Sequence, residues 1–162
     1  MKRFLLDSGF DQLDIAILEE LQVNGRISIA DLARKIHLSQ PAVHSRIRRL
    51  EREGIIQQYV TLVDREAAGY DLLCFIRITL QPHSREVFCN AQKAIEDLPN
   101  VLACYRMTGN YDMLLKVVLR DRADLERFIE EHLMVITGID RIDTDLVLNE
   151  VKQTTALQLK RK

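Results

Sequence analysis

Residues 37–59 read HLSQPAVHSRIRRLEREGIIQQY and place four arginines, Arg46, Arg48, Arg49 and Arg52, within seven positions. A guanidinium group is a planar, permanently charged donor that pairs with phosphate oxygens and with guanine edges. From Arg26 to Arg52 the chain holds seven basic residues against two acidic ones. Such a local excess of positive charge indicates an anionic partner for this stretch.

The whole chain sets limits on this interpretation. It has 162 residues, with 23 Lys and Arg against 24 Asp and Glu, which suits one or two ordinary domains with a real core. We expect a cytoplasmic, nucleoid-associated protein with no membrane partner, because no long apolar run or signal peptide is apparent. Three cysteines without a C-x-x-C pair and four scattered histidines predict neither disulfides nor a metal site.

The N-terminal part predicts three short helices and a hairpin. We expect Asp11, Ser28 and Ser39 to cap the helices, with Pro41 in the first turn of the third and Gly54 ending it. Only a few residues separate the second helix from the third. The run IIQQYVTLVD then alternates partly in polarity, so the pattern is typical of a winged helix-turn-helix unit.

The third helix can be analysed by angle, at about 100° per residue. Val43, Ile47 and Leu50 form one apolar stripe, and Ser45, Arg48, Arg49 and Arg52 are expected roughly opposite it. Arg46 lies nearer the stripe, so phosphate contact and a structural ion pair both stay open for it. A solvated basic face is the alternative, but the position matches the helix that enters the major groove. The predicted DNA-binding residues are Ser39, Gln40, Pro41, His44, Ser45, Arg46, Arg48, Arg49 and Arg52.

The rest of the chain predicts the order β-α-β-β-α-β, an antiparallel sheet with two helices on one face in a ferredoxin-like plan. The fold class is therefore α+β. We expect a DNA-binding domain over residues 1–62, a hinge over 63–70, an effector and oligomerisation domain over 71–150, and a tail over 151–162. The helix-free sheet face needs a cover, and self-association through it is the simplest answer.

One loop in this second domain has residues suited to binding a small molecule. Residues 108–113 read TGNYDM, where Gly109 permits close approach, Asn110 and Asp112 offer hydrogen bonds, and Tyr111 supplies an amphipathic ring. A plain hairpin turn would also explain the glycine and asparagine. On residue chemistry alone, both interpretations stay open.

Several segments together resemble the Lrp/AsnC family of prokaryotic transcription regulators. They are LDIAILEELQVNGRISIADLARKIHLSQPAVHSRIRRLEREGIIQQY, AAGY, MTGNYDMLLKV and ITGIDRIDTDLVLNEVK, which span almost the whole chain. The resemblance implies a homodimer that assembles further to a tetramer or octamer, and an amino-acid effector at the interface between effector domains. It implies an effector site bordered by Gly109, Asn110, Tyr111 and Asp112, with Thr144, Asp145, Leu146 and Val147 close by.

Two other classes of function deserve comparison. Siroheme decarboxylases resemble the same two-domain layout, but a tetrapyrrole pocket would need basic and histidine side chains gathered in the second domain, where none cluster. An RNA-binding sheet would need stacking aromatics, which the strand MLLKVVLR lacks. The sequence therefore predicts a DNA-binding regulator that is no enzyme and that takes an amino-acid effector rather than a cofactor.

Overall fold

The computed structural model describes residues 9–159, which divide into two compact units. The first unit comprises residues 9–62 together with 152–159, and the second comprises residues 63–151. The predicted hinge, 63–70, lies within the second unit, where Arg65 donates hydrogen bonds to the carbonyls of Tyr70 and Asp71. No helix among the described residues is long and apolar enough to span a membrane.

The first unit contains the three predicted helices: α1 (Gln12–Val23), α2 (Ile29–Lys35) and α3 (Gln40–Arg52). The three predicted caps are present, since Asp11, Ser28 and Ser39 each accept a hydrogen bond from a backbone N–H of the first turn. Apolar side chains from all three helices meet in one core, including the fully buried Ile17, Leu32, Val43 and Leu50. Short caps and a shared core therefore fix α2 and α3 as a tight pair.

The hairpin predicted after α3 is not formed. Ile55 and Ile56 turn back, donating their N–H groups to the Leu50 carbonyl at 2.9 and 3.1 Å, and pack against the helical core. Residues 57–63 then run exposed, without a backbone hydrogen bond to any described residue. A hairpin needs two strands, and the single alternating run here has no neighbouring strand to pair with.

Residues 152–159, predicted as part of a separate tail, pack in the first unit. Gln22 on α1 donates its side-chain amide to the Leu157 carbonyl at 3.1 Å and accepts from the Leu157 N–H at 2.6 Å. Leu159 adds a partly buried side chain to the core of the three helices. The first unit is therefore assembled from two separate stretches of chain.

The second unit confirms the predicted order of elements. Strand β1 (Leu72–Leu80) is followed by α4 (Arg85–Glu96), the hairpin of β2 (Val101–Arg106) and β3 (Met113–Leu119), then α5 and β4 (Ile139–Leu146). Helix α5 (Arg122–Arg127) continues directly into a π-helical turn, Phe128–Leu133. The sheet order is β2-β3-β1-β4, with every pair antiparallel.

The two faces of this sheet differ in character. One face packs against the helices through buried residues that alternate along β1, such as Ile76 and Ile78. The opposite, helix-free face carries Phe75 and Arg77 on β1, while its neighbour β4 presents Arg141, Asp143 and Asp145 at facing or diagonal positions. The uncovered face therefore mixes apolar surface with charges of both signs.

Candidate DNA interface and effector region

Most of the predicted DNA-binding residues lie on one outward face of α3. Ser39, the N-cap, and six residues of the helix are exposed: Gln40, Pro41, His44, Ser45, Arg48 and Arg52. The Arg48 side chain makes no hydrogen bond or ion pair with any described residue, and the Arg52 side chain has only a 3.5 Å contact to Glu53. The face therefore presents one guanidinium without a partner among the described residues and one weakly paired guanidinium, beside polar side chains.

Arg46 and Arg49 point elsewhere, because both bind the carboxylate of Asp14 on α1. Nη1 of Arg46 lies 2.8 Å from Asp14 Oδ1 and 2.9 Å from Asp11 Oδ1, and Nη2 of Arg49 lies 2.7 Å from Asp14 Oδ2. For Arg46, this is the structural pairing that the sequence left open. The expectation that Arg49 projects away from the core is wrong: at about 240° from Val43 it lies on the flank of α3 that faces α1.

Asp14 is the centre of this ionic cluster, and its side chain is completely buried. Besides the two arginines, it accepts a hydrogen bond from the Asp11 N–H at 3.0 Å. The Arg49 guanidinium carbon also lies 4.8 Å from the centre of the Phe10 ring. Such charge-assisted bonds compensate a buried carboxylate and fix the angle at which α3 meets α1.

The ionisation of the neighbouring groups reflects the same contacts. Partial burial acts to raise the pKa of Asp11, but hydrogen bonds from the Asp14 N–H and from Arg46 outweigh it, and the pKa lies below the usual value. The Asp14 carboxylate raises the pKa of Arg46. Both shifts favour the charged forms of Asp11 and Arg46.

The predicted effector residues fall into two places. On the helix-free face, Arg77 Nη1 donates to the Tyr111 hydroxyl at 2.9 Å while Nη2 binds Asp145 Oδ1 at 2.8 Å. The guanidinium also lies over the Tyr111 ring, 4.7 Å from its centre. The structure thus brings Tyr111 and Asp145 together through Arg77, a residue absent from the predicted effector site. Its signal was a lone charge within the apolar strand LLCFIRITL.

Asp112 lies apart from that group, at the end of β1. Its Oδ2 accepts a hydrogen bond from the Leu80 N–H at 2.8 Å, and its Oδ1 lies 3.7 Å from Nδ1 of His83. The turn before it is tight, with Gly109 at φ +118° and the Met107 N–H bonded to the Asp112 carbonyl at 2.9 Å. Asp112 is therefore held by backbone contacts yet keeps one oxygen for another partner.

The last-strand candidates do not form one lining surface. Thr144 pairs with the buried Ile76 on the helix-covered side, whereas Asp145 lies on the opposite face. Leu146 is half exposed, and the Val147 N–H is bonded to the Leu73 carbonyl at 2.9 Å. Asn110 and Gly109 are exposed at the hairpin tip. Strand alternation therefore separates residues that are neighbours in sequence.

Comparison with known proteins agrees with this two-part architecture. Residues 10–57 match a family model for winged helix-turn-helix DNA-binding, and residues 73–157 match the Lrp/AsnC ligand binding domain. The leucine-responsive regulatory protein of Haemophilus influenzae is 36% identical over 95% of this chain and 93% of its own. Its namesake in Escherichia coli strain K12 is 35% identical over 93% and 92%.

Solved structures give the same result. A transcriptional regulator of Neisseria meningitidis in complex with L-methionine superposes with a TM-score of 0.89, at 31% identity over 92% of this chain and 96% of that one. Escherichia coli AsnC superposes at 0.84, with 31% identity over 91% and 97%. The fold and the α3 face define a two-domain, DNA-binding transcriptional regulator. The chain belongs to the Lrp/AsnC family, as its sequence motifs indicated.

Proposed function

We propose that this regulator binds double-stranded DNA through the outward face of α3 and adjusts that binding to the concentration of a small amino acid. The observation that carries the proposal is the exposed α3 face, on which Arg48 has no partner among the described residues. Arginine without a protein partner, on the second helix of a helix-turn-helix pair, is available for phosphate or guanine.

The α3 residues divide by the chemistry they offer. Gln40, His44 and Ser45 are short or planar polar groups suited to base edges, while Arg48 and Arg52 supply phosphate contacts. Ser39 and Pro41 shape the start of the helix. We assign Arg46 and Arg49 to holding α3 against α1 rather than to DNA, since the buried Asp14 carboxylate already binds both of them.

DNA reading by this unit benefits from a second copy. Two helix-turn-helix units related by a two-fold axis read two half-sites and gain effective concentration. We propose a homodimer formed through the helix-free sheet face, assembling further to a tetramer or octamer. The charges of both signs on that face, with Arg77 and Arg141 beside Asp143 and Asp145, suit a self-complementary contact.

The amino-acid effector is supported by two similar structures. The Neisseria meningitidis regulator, and a feast or famine regulatory protein of Mycobacterium tuberculosis at 28% identity, were each solved with L-methionine. In this chain we propose that the turn 109–112 borders the site and that Asp112 receives the ammonium group. An effector that favours one assembly geometry shifts DNA affinity only by its differential affinity for the two states.

We also infer that the protein acts in the cytoplasm at the nucleoid, as a regulator and not as an enzyme. The support is the regulatory role named for its relatives, together with DNA as the partner that α3 suits. A gel shift beside an absorbance scan for bound pigment tests this against a siroheme-type enzyme.

The DNA assignment is tested by fluorescence anisotropy on a duplex from the gene's own upstream region, with a scrambled duplex as reference. If a dimer makes about six to ten phosphate contacts, log K falls with log salt at a slope of about −5 to −9. Arg48→Ala should weaken binding and flatten the slope by about 2 per dimer, since each copy loses one contact.

Arg122→Ala is the matched control, because it removes the same charge from an exposed site on α5 in the other unit. It should leave both the affinity and the salt slope at the parent values. The assignment of α3 as the DNA-binding face would be wrong if the affinity did not depend on salt concentration. It would also be wrong if an Arg48→Ala, Arg52→Ala double variant bound DNA as tightly as the parent.

A further inference from the structure

A cleft at the start of α4 gathers two arginines and a carboxylate, and the two arginine side chains have no ionic partner among residues 9–159. It has a volume of about 620 Å³, and its walls include Leu80, His83, Arg85, Phe88, Arg106 and Asp112, all within the second unit. Neither the Arg85 nor the Arg106 side chain forms a hydrogen bond or ion pair with any described residue. Volumes of about 300–1,000 Å³ are typical of small-molecule sites.

Arg106 is oriented by its contact with Phe88. The guanidinium carbon lies 4.2 Å from the centre of the Phe88 ring, so the ring supports the cation and limits its freedom. A guanidinium stacked in this way keeps its N–H donors at the edge of the group, where a carboxylate can take two of them in parallel. The stack therefore prepares Arg106 for a planar anion.

Asp112 provides the opposite charge in the same cleft. Its Oδ2 is occupied by the Leu80 N–H, and its Oδ1 has only the 3.7 Å contact to His83. A carboxylate oxygen with an unfilled acceptor position favours a cationic donor. Leu80 is buried and Phe88 partly buried, so the wall near these charges is apolar.

We propose that this cleft binds the zwitterionic backbone of an α-amino acid, with its carboxylate on Arg106, its ammonium on Asp112 and an uncharged side chain against Leu80 and Phe88. The inference rests on the amino-acid effector proposed above and adds the residue that recognises the carboxylate. A simple anion would meet the repulsion of Asp112, and a simple cation that of Arg85 and Arg106. A ligand carrying both charges satisfies both groups.

Arg106 is a better carboxylate partner than the hairpin-tip N–H groups of Gly109 and Asn110. All three residues are exposed, so the difference lies in the charge and the geometry of the donors. A guanidinium adds a net positive charge and two parallel N–H donors, whereas a backbone N–H offers one donor without net charge. The hairpin tip then shapes the entrance to the cleft instead of carrying the ligand's charge.

The test is titration calorimetry on the full chain with three forms of one ligand: L-methionine, L-methioninamide and 4-(methylsulfanyl)butanoic acid. The amide lacks the carboxylate charge and the butanoic acid lacks the ammonium group. A thermal-shift screen of the twenty amino acids precedes it, and a stronger hit replaces L-methionine together with its own amide and deamino acid. Inorganic phosphate is titrated as the simple anion.

For the parent protein we expect the amino acid to bind about 10- to 100-fold tighter than its amide, because a charge-assisted bond is lost. Arg106→Gln should lower the affinity for the amino acid by a similar factor and abolish the preference for the acid over its amide. Arg85→Gln removes the same charge from the cleft and should keep the preference. Asp112→Asn should abolish the preference for the amino acid over the deamino acid. Circular dichroism melts check that each variant is folded.

The outcomes separate this inference from the effector proposal on which it rests. If an amino acid binds but Arg106→Gln keeps the preference for acid over amide, or if Arg85→Gln loses it, Arg106 is not the carboxylate partner and the effector proposal stands. Phosphate binding as tight as the amino acid would show a simple anion site and overturn the inference. If none of the twenty amino acids binds the parent, both proposals fail.

Discussion

Asp14→Ala should lower the free energy of unfolding of the first unit by about 3 kcal/mol, which is far more than the substitution of an exposed carboxylate costs. The substitution removes a fully buried acceptor from Arg46, Arg49 and the Asp11 N–H. Breaking a buried ion pair costs about 3–5 kcal/mol. The lower end applies because the side chains of Arg46 and Arg49 are 26% and 37% exposed, so water solvates part of what is lost. Arg46 also keeps Asp11 as a partner.

The assay is urea unfolding followed by far-ultraviolet circular dichroism, fitted with separate transitions for the two units. At a slope of about 2 kcal/mol per molar urea, the midpoint of the first unit should fall by about 1.5 M. Glu20→Ala is the matched control, because it removes an acid from the same helix that is paired with Lys35 at 2.6 Å but partly exposed. That change should cost less than about 1 kcal/mol.

A double-mutant cycle of Asp14→Ala with Arg49→Ala then isolates the pair. We expect a coupling of about 1–3 kcal/mol, because residues in one ionic network do not act independently. If Asp14→Ala lowered the midpoint no more than Glu20→Ala, the cluster would not hold α3 in place. Arg46 and Arg49 would then return to the set of candidate DNA contacts.

Two further predictions concern other parts of the chain. Partial desolvation of the hydroxyl of Tyr59, a residue that is still 52% exposed, and then its hydrogen bond to Glu51 at 3.0 Å raise the pKa of Tyr59 to about 12. The stability this lends the folded state is therefore present below about pH 10 and is lost as the pH rises towards 12; absorbance titration against Tyr59→Phe measures the pKa, and Glu51→Gln should lower it. Gly138→Ala should destabilise the second unit by at least about 2 kcal/mol, because φ is +96° and a new Cβ would lie 2.3 Å from Val87 Cγ1. Gly109→Ala, at φ +118° with nothing within 4 Å of the new Cβ, should cost only about 1 kcal/mol in the same urea unfolding assay. Equal losses for the two variants would show that the Val87 contact is unimportant.

The elements of the fold were predictable because their signals are local. Asp11, Ser28 and Ser39 cap helices through their own first turns, and the order of helices and strands along the second unit followed from polarity patterns within short windows. The pairing of the Arg49 side chain, by contrast, has no local signal in the sequence. It depends on Asp14, 35 residues earlier, being buried against α3, and no periodicity within either helix states that distance.

The effector region shows the same division. The hairpin that carries Asp112 was predicted from its turn residues, and the structure contains it. The positions of Arg77 and Arg106 were not predicted, because each side chain is positioned by a partner outside its own strand. That partner is Tyr111 for Arg77 and Phe88 for Arg106. Pairing register and side-chain stacking decide which charges share a cleft, and a strand pattern gives only which face a residue takes.

Because the first unit is built from two separate stretches of chain, its packing contacts form in a fixed order during translation. Residues 152–159 supply Leu157 to the side chain of Gln22 and Leu159 to the helical core, and they are translated after the whole of residues 63–151. Domains generally fold as units while the chain emerges from the ribosome. The DNA-binding helices therefore receive their last packing contacts only after the second unit has been translated. A nascent chain can complete the effector-binding unit before it completes the DNA-binding unit.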